Sequence, residues 1–234
     1  MDQAGHSTAL LFNLKKGSPF SFKCQVCSAC CFNKAIRVAP YEALRLARNL
    51  KTTTTEVYRL YTEEDGTVLR NRPDGSCIFL DSRGCGVHPD RPLVCRLFPL
   101  GQITDGQGVV RYASMPLHPD CLGLFCTEGT VESYLESQGA LPYFRYDQVY
   151  SALAKKIVEK LSGLKPAGET PEYIADRGAA GGAASTPSSQ LSPWQDIDSS
   201  LTSYCRLKEQ EKPENPEEMI KLHIQALEEW IVSL

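Results

Sequence analysis

The chain has 234 residues, of which 42% are hydrophobic and 23% charged, and its formal net charge is −3. This length suffices for one or two domains with a hydrophobic core. The charge balance argues against a basic nucleic-acid-binding protein, and the composition argues against a chain that is disordered throughout.

The distribution of apolar and cysteine residues indicates a cytoplasmic protein. No run approaches the ~20 apolar residues that a membrane-spanning helix needs. The first residues include an acid where a signal peptide carries basic side chains. Ten cysteines in 234 residues also lie below the ~8–10% of a secreted disulfide scaffold. Because disulfides are disfavoured in the cytoplasm, we expect reduced thiols, and we expect neither a nucleic-acid nor a membrane partner.

A dense group of cysteines comes first along the chain. Four cysteines lie within eight residues, five more follow before residue 127, and Cys205 stands apart. A hydrophobic core rarely needs four small thiols on one short segment, so the pattern predicts metal binding. The nine clustered residues are Cys24, Cys27, Cys30, Cys31, Cys77, Cys85, Cys95, Cys121 and Cys126.

Two helices are predicted after the first four cysteines. Pro40 suits a first helical position, and apolar residues then recur at helical spacing: Tyr41, Leu44, Ala47 and either Leu46 or Leu50. Thr53-Thr-Thr-Glu56 is typical of a capping box. It predicts a second, short helix whose inward residues are Val57, Leu60 and Tyr61.

Turn residues and short apolar runs predict strands in the middle of the chain. Ser76–His88 is expected to form a hairpin with its turn near Asp81–Gly84, and with Cys77 and Cys85 on either side. Val109–Ala113 is a candidate for a further strand.

The second half of the chain is predicted to be mainly helical. From Thr130 to about Leu164 the apolar residues follow helical periodicity, with one stripe at Val131, Tyr134 and Leu135 and a second at Val149, Leu153, Ile157 and Leu161. Gly178–Ser189 has the composition of a flexible linker. A last helix, from Pro216 to Leu234, carries an apolar stripe opposite acidic residues, and it could dock on the body of the protein or recruit a protein partner.

These elements predict an α+β fold. We expect a small, mainly helical domain at residues 1–165, with irregular cysteine-rich loops and a short hairpin organised around a metal centre. A flexible low-complexity linker at 166–215 and an amphipathic helix at 216–234 complete the prediction.

The spacing of the cysteines narrows the choice of metal. Thiolate is a soft ligand that selects zinc, copper(I) or iron–sulfur clusters. Cys24-x2-Cys27-x2-Cys30 has the three-thiolate spacing of the ferredoxin motif, whose fourth ligand comes from elsewhere in the chain; Cys95 could supply it. We therefore predict an iron–sulfur cluster of the 4Fe–4S type. Zinc is the alternative, because a tetrahedral site of four sulfurs suits it equally.

Adjacent Cys30 and Cys31 raise the question of a second centre. Neighbouring side chains in an extended segment point to opposite faces, so one ion would struggle to use both. Either Cys31 reaches a second centre with Cys77, Cys85 and Cys121, or it is a reactive or packing thiol.

Other polar residues near the cysteines have candidate roles. Arg91 and Arg96 flank Cys95, and their guanidinium groups could donate hydrogen bonds to the sulfurs of a bound cofactor and offset its charge; the alternative is surface ion pairing. His88 and His118 could be ligands. Cys126 is an uncertain ligand, and Cys205 is predicted not to bind metal.

The motifs resemble those of a known family. Over roughly residues 20 to 140 the chain is similar to the YkgJ-type CxxCxxCC family. The similarity lies in Phe22-x-Cys24-x2-Cys27-x2-Cys30-Cys31, then Cys77, then Cys85-x-Val-His-x2-Arg91-Pro92-x2-Cys95-Arg96-x-Phe98-Pro99, then Cys121. Its members are described as zinc- or iron-chelating or as iron–sulfur proteins, and the flagellin lysine methylase FliB shares the cysteine pattern. The family often has glycine between the second and third cysteines, where this chain has Ser28-Ala29. It also often has Cys-Pro-Gly where this chain has Cys121-Leu-Gly123.

Three functions are compatible with these observations. The first is an iron–sulfur protein whose cluster transfers electrons or supports an enzyme. The second is a zinc-stapled structural or interaction module. The third, implied by the resemblance, is a protein-modifying enzyme related to lysine N-methylases.

Overall fold

A computed structural model describes residues 10–63, 66–105, 108–163 and 192–234. In these ranges the fold consists of helices and three two-stranded antiparallel ribbons. The helices are α1 Pro40–Leu50, α2 Thr54–Tyr61, α3 Leu93–Leu97, α4 Val131–Ser137, α5 Leu141–Gly163, α6 Ile197–Leu207 and α7 Pro216–Ser233. The strands are β1 Phe22–Lys23, β2 Leu80–Asp81, β3 Gly84–Cys85, β4 Leu100–Thr104, β5 Val110–Ser114 and β6 Leu124–Phe125. The predicted α+β class is confirmed.

The three ribbons include both predicted strand features. The pairs are β1 with β6, β2 with β3, and β4 with β5. Leu80 lies opposite Cys85 and Asp81 opposite Gly84, so the predicted hairpin turn is confirmed. The predicted strand at 109–113 is β5, which pairs with β4 over five residue pairs.

Local signals place the starts of the first helices. Pro40 is the first residue of α1. The hydroxyl of Thr53 accepts a hydrogen bond from the backbone N–H of Glu56 at 3.1 Å, which caps α2. Val57 is buried as predicted, but Leu60 is 40% exposed and Tyr58 is buried in its place. The inward face of α2 follows positions 54, 57, 58 and 61, and residue 60 lies to one side of it.

The long helical segment predicted after Thr130 is divided in two. Helix α4 ends before Gly139, which has a positive φ of 61°, a conformation that glycine adopts readily. The predicted stripe of Val131, Tyr134 and Leu135 is buried. In α5 the stripe is buried at Leu153 and Ile157, whereas Leu161 is 40% exposed.

Three hydrophobic clusters form the core. The first joins α1, α5, α6 and α7 through residues such as Leu44, Leu201 and Ile220. The second surrounds β1, β4, β5 and α4 and has Cys121 at its margin. The third joins the other face of α1 to α2 and the β2–β3 hairpin, and Cys77 and Cys85 pack against it. Cysteines of the later loops therefore contact both the second and the third cluster.

Part of the segment predicted as linker is instead a helix. Residues 164–191, which include Gly178–Ser189, lie outside the described residues, whereas α6 occupies positions 197–207 of the predicted linker. Asp196 accepts a hydrogen bond from Ser199 N–H and caps this helix. Ile197, Leu201 and Cys205 are buried at spacings of four. The prediction of a linker extending to residue 215 is wrong here. The outer face of α6 is polar and its buried apolar residues lie four positions apart, so its sequence resembles that of a polar linker.

One face of the C-terminal helix packs against the rest of the molecule. Ile220, Leu227 and Ile231 of α7 are buried in the first hydrophobic cluster. Its apolar stripe therefore docks on the body of the protein, and recruitment of a partner by this helix stays a prediction. None of the helices in the described ranges has the length and apolar character needed to cross a membrane.

Candidate metal centre

The first three cysteines lie in a tightly turned loop. Val26 and Ser28, which separate them, have positive φ angles of 53° and 63°. The Val26 N–H lies 3.4 Å from Cys24 Sγ. A positive φ is unusual for a β-branched residue, and such strained residues cluster at functional sites. Ser28 has a left-handed backbone conformation at a position where the family often has glycine, so this chain forms the turn without glycine.

Cys30 and Cys31 interact with each other. They lie in a short 3-10 helix, Ala29–Cys31, and the neighbouring Cys31 thiol is the main cause that lowers the pKa of Cys30. The expectation that they face opposite sides assumed extended backbone, which this segment does not have. A 3-10 turn has about three residues per turn, so adjacent side chains diverge less than on a strand.

The backbone brings Cys77 and Cys85 to the first loop. Cys77 N–H donates to the Cys31 carbonyl at 2.8 Å, and Leu80 N–H donates to the Cys77 carbonyl at 2.9 Å. Leu80 in turn pairs with Cys85 across the hairpin. A Cβ atom on Gly84, at the hairpin turn, would lie 3.0 Å from Val26 Cγ1. The first loop therefore packs closely on the hairpin.

A second pairing brings Cys121 to Cys27. Strand β1, just before Cys24, pairs with β6, just after Gly123. The Leu122 N–H lies 3.4 Å from Cys27 Sγ, and the Cys121 side chain acts to lower the pKa of Cys27. Gly123 lies against the ring of Phe22, where a Cβ atom would overlap it.

Cys95 comes from helix α3, which is anchored to α1. The buried carboxylate of Glu42 accepts hydrogen bonds from Leu93 N–H at 2.7 Å and from Ala39 N–H at 2.6 Å. Glu42 thus fixes the first residue of α3 and the start of α1 together. Sequence reasoning missed this residue, although a glutamate at the third position of a helix is a known capping signal.

The cysteines share one electrostatic environment. The negative charge of Cys30 acts to raise the pKa of six other thiols: Cys27, Cys31, Cys77, Cys85, Cys95 and Cys121. Hydrogen bonds nevertheless lower the pKa of Cys27 overall. Burial is the main cause that raises the pKa of Cys77, Cys85 and Cys95. The backbone N–H groups of Leu122 and Ala29 lower the pKa of Cys27.

The thiols are grouped but not in the geometry of a bound ion. Across residues 10–63, 66–105, 108–163 and 192–234, no three His, Cys, Asp or Glu side chains converge as ligands of one ion. All ten cysteines are free thiols, and a set of clustered soft donors fits zinc or iron.

The two arginines have different surroundings. The charge of Arg91 lowers the pKa of Cys30 and Cys85, and its guanidinium donates to Gln138 Oε1 at 2.7 Å. Arg96 is buried and donates to the carbonyls of Pro89, Arg91 and Gln138 and to the hydroxyl of Tyr143. The charge of Arg91 therefore acts on the thiols, whereas the hydrogen bonds of Arg96 connect the backbone before α3 to the backbone at the end of α4.

The remaining candidate residues lie at the margin. His88 contacts Arg91, and burial together with Arg91 and Arg96 lowers its pKa. His118 is half-exposed and accepts a hydrogen bond from Asp120 N–H at 3.2 Å. Cys126 is exposed, and Cys205 is buried in α6.

Fold and site together define a small α+β protein with a clustered set of cysteine thiols. Residues 23–112 match the model of the CxxCxxCC family, described as a "Putative zinc- or iron-chelating domain". These residues therefore match the family that the motifs resemble, and the resemblance is confirmed. The match includes all the clustered cysteines up to Cys95 and ends before Cys121.

A curated relative extends the similarity. The chain is 29% identical over 134 residues to the uncharacterized protein MJ0661 of Methanocaldococcus jannaschii. The aligned region covers 55% of this chain and 68% of that protein. The description of that relative gives no activity. No solved structure matches the chain.

Proposed function

We propose that this protein binds metal through its clustered cysteine thiolates, and that the metal is held as an iron–sulfur cluster. One observation carries the proposal: strand pairing and backbone hydrogen bonds bring cysteines from separate segments together, Cys121 to Cys27, and Cys77 to Cys31 beside the hairpin that carries Cys85. Neutral thiols are small hydrophobic groups, and packing alone gives no reason to bring so many together.

The surroundings of the thiols suit a negatively charged cluster. Arg91 and Lys34 both lower the pKa of Cys30 and so favour its thiolate. Partly buried thiolates would otherwise pay a large desolvation cost. When bound, an iron–sulfur cluster would supply one-electron transfer, and its potential would depend on hydrogen bonds to sulfur and on exposure. The cytoplasm, where thiols stay reduced, is the proposed location.

Metal analysis tests this function directly. The full chain is purified without oxygen, and iron, acid-labile sulfide and zinc are measured alongside the visible spectrum. We expect a brown protein with iron and sulfide in equal amounts. Protein that binds neither iron nor zinc under these conditions would overturn the proposal.

A matched pair of variants locates the metal. Cys27→Ser should lose bound metal and part of the stability, because metal binding and folding are coupled. Cys205→Ser should retain its metal, since that thiol lies buried in α6. Equal metal content in the two variants would exclude Cys27 as a ligand.

A structural zinc site is the second candidate, and the shortness of the elements favours it. The cysteine-bearing segments contain only two-residue strands, three-residue 3-10 helices and the five-residue α3. Such segments are marginal without a metal or another cross-link. Colourless protein with stoichiometric zinc would support this candidate over the iron–sulfur cluster.

A further inference from the structure

The clustered thiols pack against two different parts of the core. Cys121 lies at the margin of the second hydrophobic cluster, whereas Cys77 and Cys85 pack against the third. The two clusters belong to different ribbons, β1–β6 and β2–β3. Cysteines that are distant in sequence are therefore sorted into two neighbourhoods by the fold.

The first neighbourhood forms around Cys27. The Leu122 N–H lies 3.4 Å from Cys27 Sγ, and the pairing of β1 with β6 holds Cys24 and Cys121 at the same end of this ribbon. Cys24 is exposed, and Cys27 and Cys121 are partly exposed. These thiols face solvent.

The second neighbourhood forms around the hairpin. Cys77 N–H donates to the Cys31 carbonyl, and the Cys77 carbonyl accepts from Leu80, the partner of Cys85. Cys30 completes the Cys24-x2-Cys27-x2-Cys30 motif of the first neighbourhood, and Cys95 is the thiol that remains for the second, since a tetrahedral centre takes four thiolates.

We infer that the eight thiols form two adjacent metal centres of four thiolates each. The outer centre consists of Cys24, Cys27, Cys30 and Cys121, and the inner centre consists of Cys31, Cys77, Cys85 and Cys95. The structure thus places Cys121, not Cys95, with the Cys24-x2-Cys27-x2-Cys30 motif. This inference rests on the proposed metal-binding function.

The two centres should differ in how readily they exchange metal. The outer thiols (Cys24, Cys27, Cys30 and Cys121) include the exposed Cys24, so a chelator in solution can approach them. The inner thiols (Cys31, Cys77, Cys85 and Cys95) are all partly buried: Cys77 and Cys85 pack against the third hydrophobic cluster, and Cys95 belongs to α3. Metal at the inner centre should leave only when the hairpin opens.

Cobalt(II) is a suitable probe, because tetrahedral thiolate coordination gives it a strong visible spectrum. The metal-free full chain is titrated with Co²⁺ under reducing, oxygen-free conditions. We expect saturation at two equivalents, with sulfur-to-cobalt charge-transfer bands growing until the second equivalent is bound. Saturation at one equivalent would overturn the inference but leave the proposed function intact, whereas no binding would contradict both.

Single variants assign each equivalent to its centre. Cys27→Ser and Cys85→Ser should each lose half of the bound Co²⁺, while the control Cys126→Ser should bind as much as the parent chain. Circular dichroism establishes that each variant is folded. Folded Cys27→Ser and Cys85→Ser proteins that both lose all binding would show a single shared centre.

Release kinetics keep the inference testable even if Cys85→Ser does not fold. A chelator added to the Co²⁺-loaded parent chain should remove the metal in two phases of equal amplitude, and Cys27→Ser should lack the fast phase. A single phase in the parent chain would contradict the division into two centres.

Discussion

At the scale of single residues, Gly123 shows how one missing side chain positions a cysteine. Its Cα lies so close to Phe22 that a Cβ atom there would overlap the ring, with both Cε atoms 2.9 Å away. This contact lets β6 approach β1 and brings Cys121 to Cys27. The glycine of the family's motif is therefore required here for close packing, even though leucine replaces the proline before it.

We expect Gly123→Ala to destabilise the protein by ~1–3 kcal/mol, because inserting a methyl group into a packed contact forces neighbouring atoms to move. Bound metal should decrease as well. Denaturant unfolding and metal analysis measure the two effects. Gly17→Ala is the control, since a Cβ atom at Gly17 meets nothing within 4 Å; equal effects of the two substitutions would contradict this account.

Arg96 illustrates a second residue-scale effect. Its side chain is 7% exposed and satisfies three backbone carbonyls and the Tyr143 hydroxyl, over whose ring its guanidinium lies at 4.3 Å. These contacts join the turn before α3 to α4 and α5. A neutral side chain of similar length would leave buried acceptors without donors.

Arg96→Met should therefore cost ~3 kcal/mol or more, at ~1–3 kcal/mol for each buried group left unsatisfied. The loss should be the same with and without bound metal. Unfolding of both forms provides the measurement, with Arg83→Met as control because that side chain is 90% exposed. A loss confined to the metal-loaded form would instead support the predicted contact with a bound cluster.

At the scale of elements, the starts of α2 and α6 cap each other. Asp198 in α6 accepts a hydrogen bond from Thr54 N–H at 2.7 Å, and the Thr54 hydroxyl accepts from Asp198 N–H at 2.9 Å. Asp196 accepts from the Thr54 and Thr55 hydroxyls at 2.6 and 2.7 Å. This buried network attaches the C-terminal helices to the part of the chain that carries the cysteines.

Asp198→Ala should destabilise the protein by ~1–3 kcal/mol, because it leaves the buried Thr54 N–H without its acceptor and removes the ion pair with Lys212 at 2.9 Å. Thermal unfolding and limited proteolysis between α5 and α6 measure the effect. Glu211→Ala, at an exposed position, should change stability by less than ~0.5 kcal/mol. If the two variants unfold alike, the network does not hold α6 in place.

At the scale of the whole molecule, a buried histidine links stability to pH. His223 in α7 is fully buried in the helical half, with Nδ1 2.9 Å from the Tyr150 hydroxyl. Burial lowers the pKa of His223 to about 4, and the Trp194 carbonyl opposes this effect. Among the described residues, the buried Nε2 atom of His223 has no hydrogen-bond partner. The effect of burial on the pKa therefore exceeds that of the carbonyl.

The unfolded chain, with an ordinary histidine pKa near 6.5, binds a proton at a higher pH than the folded chain does. The contribution of neutral His223 to stability is therefore complete above about pH 6.5 and is lost as the pH falls toward 4. We expect a loss of up to about 3 kcal/mol over this range. Urea unfolding from pH 7 to 4 should show a weaker pH dependence in His223→Gln; identical curves would contradict the assignment.

Features set by near neighbours in the chain were predictable from sequence. Thr53 and Glu56 predicted the start of α2, Pro40 predicted the start of α1, and Asp81–Gly84 predicted the hairpin turn. The cysteine spacing also identified the family domain. Each depends on residues within a turn or on a short motif, so the surrounding fold has little influence on it.

The sequence by itself thus determined the α+β class, the main helices and a cysteine set suited to metal. Only the tertiary structure decided that Cys121 lies beside Cys27, that Arg96 donates to the Gln138 carbonyl, and that α6 caps α2. Each of these contacts joins residues at least 42 positions apart. Local propensity carries no information about such pairs, because they depend on the path of the whole chain and on which apolar faces are buried together.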